Sequence, residues 1–99
     1  MIVKRLPDKI QSLRKAKHLS QKIVAKAIGV SEAMYSRIEN GERAIQCSQI
    51  EAIANFLGAE REELRSLNLA DKLQAETVNY SKNEVNSAIE VLRSTKTPT

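Results

Sequence analysis

Leu6, Ile10, Leu13 and Lys17 recur at intervals of four, three and four residues, which places them on one face of a helix with 3.6 residues per turn. With Pro7 and Asp8 at the front, this pattern predicts a first helix over about residues 8 to 17, closed by His18. Ser20 is a good N-cap for a second helix over about 21 to 28, with Val24, Ala25 and Ile28 on one face and Gly29 at its end. Ser31 caps a third, about 32 to 40, in which Met34, Tyr35 and Ile38 face inward and Gly41 stops the run. A loop from Glu42 to Gln46 leads to a fourth helix with Cys47, Ile50, Ile53, Ala54 and Leu57 on its inner face, ended by Gly58. A short fifth helix follows, with Glu60, Glu62 and Glu63 near its positive N-terminal pole and Leu64 and Leu67 available to pack.

After Leu69 the apolar spacing lapses from Asp71 to Asn79, which places a domain at 1–69 and a linker from residue 70, with some helix around Leu73. Ser81-Lys82-Asn83-Glu84 then has the form of a capping box, with Tyr80 and Val85 placed as a hydrophobic staple. A sixth helix is expected over about 82 to 93, with Val85, Ala88, Ile89 and Leu92 as one apolar stripe, before a polar tail ending in Pro98. Strand signals are nearly absent. The expected fold class is all-α, five helices in one domain with an additional C-terminal helix.

Composition narrows the function. Leu, Ile, Val and Phe supply 25 of the 99 residues, above the ~20% level below which chains tend to stay disordered. The longest stretch free of Asp, Glu, Lys and Arg is Ala52 to Ala59, whereas a membrane span needs roughly 20 predominantly apolar residues. Charge also breaks up the N-terminal apolar residues before a secretory signal forms, so the chain is read as cytoplasmic. A single cysteine, Cys47, and a single histidine, His18, offer no internal disulfide, no zinc cluster and no thiol dyad. No metal or other cofactor is expected. The Glu60, Glu62 and Glu63 run comes with no Gly-rich phosphate loop and no nucleophile partner, so the chain is not expected to be an enzyme.

The net charge of +4 is polarised: residues 1 to 30 hold eight Lys or Arg against Asp8 alone. Such an end suits a polyanion, and solubility accounts for part of it. The order of the helices decides between them. Two short helices joined by a tight turn with a glycine form a helix-turn-helix, whose second helix lies in the DNA major groove. Counted from Gln21, small Ala25 is fifth, Gly29 ninth, Tyr35 fifteenth and Ile38 eighteenth. Ala25 lets the helices approach, Gly29 takes the turn dihedral, and Tyr35 and Ile38 pack the reading helix onto the domain.

On Leu19-Ser20-Gln21, Ala25, Ile28-Gly29-Val30-Ser31, Ser36-Arg37-Ile38-Glu39-Asn40-Gly41 and Ala54-Asn55-Phe56-Leu57-Gly58, the sequence resembles the lambda-repressor/Cro (XRE) type of helix-turn-helix family over roughly residues 6 to 68. The resemblance implies five packed helices and DNA reading by the third. It places Glu32, Ala33, Ser36 and Arg37 against bases, and Gln21, Ser31, Asn40 and Arg43 against the sugar-phosphate backbone, with Lys22 adding attraction. Arg14 and Glu39 match positions that pair between the first and third helices. His18 departs from the pattern, standing where glycine is usual, and Ile45 stands where the loop usually has proline.

The chemistry of those side chains agrees in kind. Arg37 can grip guanine O6 and N7, Glu32 can accept from cytosine N4, and the Ala33 methyl can touch thymine. Two functional readings follow. The first is a sequence-specific transcriptional regulator, a repressor, binding a palindromic operator as a homodimer. The second is an antitoxin or adaptor whose residues 80–93 engage a protein partner. A basic amphipathic membrane binder leaves the pattern from Gln21 to Gly41 unexplained.

Overall fold

The computed structural model describes residues 4–94. They form six helices in chain order: α1 (Arg5–Ala16), α2 (Gln21–Ile28), α3 (Glu32–Glu39), α4 (Cys47–Leu57), α5 (Arg61–Glu76) and α6 (Lys82–Ser94). The fold is all-α, with no strand among the described residues. The polar tail ending in Pro98 lies outside them.

The core gathers one apolar stripe from each of the first five helices. Leu6, Ile10, Tyr35, Ile38, Ile53 and Leu64 are fully buried, and Val24 and Ala25 lie between them. Ile45, in the loop before α4, is also buried, whereas Cys47 was the residue expected on the inner face. Cys47 itself is exposed. It is the first residue of α4, one turn ahead of the inward-facing row that starts at Ile50, so it shares the phase of that row but stands at the helix end, where it stays exposed.

Helix α1 begins three residues before the expected start because a distant carboxylate caps it. The first N–H groups of any helix lack a partner within the helix. Here Asp71 Oδ1 accepts from the Arg5 N–H and Asp71 Oδ2 from the Leu6 N–H, each at 3.0 Å. Pro7 follows in the same turn, where its missing N–H costs nothing. Arg5 also reaches α5 with its side chain, Nη1 donating to Asp71 Oδ1 at 3.1 Å and to Gln74 Oε1 at 2.8 Å.

The same contacts correct the expectation of a short fifth helix and a linker from residue 70. Helix α5 continues to Glu76, and the expected domain boundary at 69 falls inside it. Apolar spacing lapses there because Asp71 and Gln74 face α1 with hydrogen bonds instead of methyl groups. The chain leaves α5 only at Thr77, whose Oγ1 donates to the Gln74 carbonyl at 3.2 Å.

His18 takes φ +56° after the end of α1. This left-handed conformation costs an ordinary L-residue roughly 1–2 kcal/mol, part of which glycine gives back through its greater freedom when unfolded. His18→Gly is therefore expected to stabilise the protein by about 1 kcal/mol, raising the melting temperature by about 4–8 °C. An unchanged or lower melting temperature would show that His18 is held there without strain.

Helix α6 stands apart. Ser81 and Glu84 cap it reciprocally: Glu84 Oε1 accepts from the Ser81 N–H at 2.8 Å, and Ser81 Oγ from the Glu84 N–H at 3.1 Å. The backbone hydrogen bond from Ser81 holds the Glu84 carboxyl below its usual range. Yet α6 buries none of its residues and takes no part in the main pairings, which set α2 on α3 and α4, α1 on α3, α4 and α5, and α4 on α5. The radius of gyration, 15.7 Å, exceeds the ~13 Å of a compact domain of this length.

Candidate nucleic-acid interface

Two serines set up the pair of short helices. Ser20 Oγ accepts from the Ile23 N–H at 3.2 Å, and Ser31 Oγ from the Met34 N–H at 3.1 Å, each satisfying one free donor of a first turn. Between them Gly29 takes φ +77°, open to glycine without strain. That turn lets the Val30 N–H donate to the Ala25 carbonyl at 3.0 Å. Ala25 is buried where α2 packs on α3, and its single methyl admits the close approach.

The inward side of α3 is Tyr35, Ile38 and Glu39. Its outward side is therefore the face that carries Glu32, Ala33, Ser36 and Arg37; Glu32, Ala33 and Arg37 are exposed and Ser36 is half-buried. Lys22, Ser31, Asn40 and Arg43 are exposed around this face, and Gln21 is half-buried. The structure thus brings the four expected base readers onto one surface, with the expected phosphate contacts at the ends of α2 and α3 and in the following loop.

Behind that surface lies an ion pair. Arg14 of α1 holds the Glu39 carboxylate with two prongs, Nε to Oε2 at 2.6 Å and Nη2 to Oε1 at 3.0 Å. Its Nη1 donates to the Leu19 carbonyl at 2.8 Å, so one guanidinium spans α1, the entry to α2 and the end of α3. Gln21 Nε2 adds a donor to Glu39 Oε1 at 3.2 Å. The Glu39 side chain is 0% exposed and that of Arg14 only 11%. Burial pushes the Glu39 carboxyl up, but the hydrogen bonds led by Arg14 outweigh it and hold the group below the usual carboxylate range. The hydrogen bond from Arg14 to Glu39 likewise raises the guanidinium. The Tyr35 hydroxyl is buried beside the pair without a hydrogen bond of normal geometry; burial first, and then the neighbouring carboxylate, push the phenol well up.

Helix-turn-helix geometry, an outward polar face and a buried strut behind it place this chain among DNA-binding folds, and a family model described as helix-turn-helix matches residues 10–64, more than half of the chain. The chain belongs to the XRE-type helix-turn-helix family. No curated protein and no solved structure matches it. The family is one of DNA-binding transcription regulators, a regulatory domain in place of an enzyme. Among the described residues no helix is long and apolar enough to cross a membrane.

Two contacts at this XRE-type site had no signal in the sequence. Gln21, expected on a phosphate, is also the third donor to Glu39. Lys4 donates from Nζ to the Gly41 carbonyl, which draws the start of the chain onto the turn after α3, two residues from Arg43. Neither contact has a spacing rule, because each joins residues brought together only by packing.

Proposed function

We propose that the protein is a sequence-specific repressor that binds a palindromic operator as a dimer, with one α3 in each of two major-groove half-sites. The observation that carries this reading is the outward face of α3. Glu32, Ala33, Ser36 and Arg37 share it, while the opposite face is fixed to the core by Tyr35 and Ile38 and to α1 by Glu39. A reader so held presents the same four side chains each time it docks.

Arg37 takes guanine, Glu32 accepts from cytosine N4 and repels other edges, and Gln21, Lys22, Ser31, Asn40 and Arg43 hold the phosphates. The free N–H groups at the starts of α2 and α3 favour the same anions. The DNA-binding unit in this reading runs through α5, and α6 is an appended element. An antitoxin or adaptor role draws on one specific observation, that none of the residues of α6 is fully buried, and α6 then meets a different protein.

Selection of bound sites from random duplex DNA tests the proposal. The expected result is two half-sites related by a two-fold and separated by about one helical turn, roughly 10–10.5 base pairs. Arg37→Ala should cost about 1–3 kcal/mol and relax preference at one base pair of each half-site, and Glu32→Gln should switch or broaden a neighbouring preference. Failure to enrich any site would overturn the reading. Enrichment unaffected by both substitutions would remove these two residues from the reading face.

A further inference from the structure

The start of α1, the loop after α3 and the second half of α5 enclose a groove of about 300 Å³, at the lower end of the range for small-molecule sites. Leu6, Pro7 and Ile45 give it a buried apolar wall, and the methyl groups of Ala44 and Ala75 extend that wall into solvent. From α5, Asn68, Asp71, Lys72 and Ala75 line the groove at the spacing of one helix face.

The charge around this groove is one-sided. Lys4, Arg43 and Lys72 line it, are exposed, and have no ion pair among the described residues. The Lys4 ammonium donates to the Gly41 carbonyl, a neutral acceptor, so its charge is uncancelled. Asp71 is already engaged: its two carboxylate oxygens accept from the backbone N–H groups of Arg5 and Leu6 and from the Arg5 guanidinium. The half-buried Asn68 amide has no hydrogen-bond partner among the described residues. Three uncancelled cations and a free amide beside an apolar wall suit an anion with an apolar body. A sugar phosphate would leave the wall without a partner, and a neutral hydrocarbon would leave the cations without one.

We infer that this groove binds a small amphipathic carboxylate and that the bound acid opposes DNA binding. The anionic head lies among Lys4, Arg43, Lys72 and the Asn68 amide, and the apolar chain lies along Leu6, Pro7 and Ile45. The antagonism rests on the proposed function, in which Arg43 holds a phosphate. A guanidinium engaged by a carboxylate is lost to the duplex, and the charge of the ligand repels the phosphodiester backbone. Coupling between two binding sites is reciprocal, so duplex DNA weakens the acid by the same factor.

The test is a titration of the isotope-labelled full chain with hexanoate, followed by the backbone amide resonances. Acetate supplies the same charge without the chain, and hexanol the chain without the charge. Hexanoate should move the Leu6, Gly41, Ala44, Ile45 and Ala75 amides to saturation, with acetate at least tenfold weaker for want of four methylene groups and hexanol weaker as well. Lys72→Gln should weaken hexanoate about two- to fivefold, and Ala75→Leu, which fills the groove, should abolish saturation; unmoved resonances elsewhere confirm that both exposed substitutions leave the fold intact. At constant ionic strength, saturating hexanoate should weaken duplex binding on the order of tenfold, acetate should not, and Ala75→Leu should be insensitive to either.

Acetate or hexanol acting as well as hexanoate, or hexanoate binding indifferent to both substitutions, overturns the site. Binding gained only by a chain that starts at Lys4 overturns it too, since Met1, Ile2 and Val3 would then be the occupant. A filled groove with duplex affinity unchanged overturns the antagonism. Duplex binding without a hexanoate site defeats the groove alone, and a hexanoate site in a protein that binds no duplex defeats the DNA reading alone.

Discussion

Arg14→Ala should destabilise the protein by about 3–5 kcal/mol, the cost of leaving a buried charge without its partner. The truncation strands the Glu39 carboxylate, fully enclosed, with only the Gln21 amide donating to it. It also frees the Leu19 carbonyl at the entry to α2. Small domains have only about 5–15 kcal/mol in hand, so the variant should sit near its unfolding transition at room temperature, as urea denaturation would read directly. A loss under about 1 kcal/mol would mean that water reaches the pair, as at exposed ion pairs. Arg14→Lys should recover only part of the loss, because an ammonium cannot reproduce the two-pronged geometry.

The same pair sets a pH dependence. Glu39 titrates below its usual range in the folded protein, so the unfolded chain binds its proton first as the pH falls. The stabilisation is complete above the ordinary glutamate value, about 4.3, and is lost as the pH drops through the lower folded value. Acid unfolding of Glu39→Gln, which has no such group to protonate, should therefore be less steep.

The second large effect is electrostatic. With Lys22 and Arg43 neutralising phosphates in each of two half-sites, about four counterions leave, and the log-log plot of affinity against salt should fall with a slope of about −3.6. Raising the salt fourfold then weakens binding on the order of a hundredfold. Arg43→Ala should weaken all sequences alike and roughly halve that slope. A flat plot for the parent protein would defeat DNA binding as its main role.

What was legible in the sequence is what is encoded within a few residues. Ser20, Gly29 and Ser31 announce α2 and α3 because caps and left-handed turns act on their immediate neighbours. The outward face of α3 follows from helical phase once Tyr35 and Ile38 are set inward. Cys47 was misread by the same reasoning, since phase was extended one turn too far toward a helix start where the loop residue Ile45 fills the core. The length of α5 was hidden for a different reason. Its last turns are held by Asp71 and Gln74 reaching Arg5, and polar side chains that face inward leave no apolar period to count. The Arg14 to Glu39 pair was legible only through family resemblance, for nothing in local spacing joins residues 25 positions apart.

The carboxylate of Asp71 on the first N–H groups of α1 also orders events along the folding pathway. The turn between α2 and α3 closes over a handful of residues, so that pair can form early, at small loop-closure cost. The clasp between Arg5 and Asp71 spans 66 residues and must wait for nearly the whole unit to be in place. During synthesis, α1 leaves the ribosome before α5 with its leading turn bare, and only the arrival of α5 caps it. Among the five packed helices, the earliest made is thus the last to be finished.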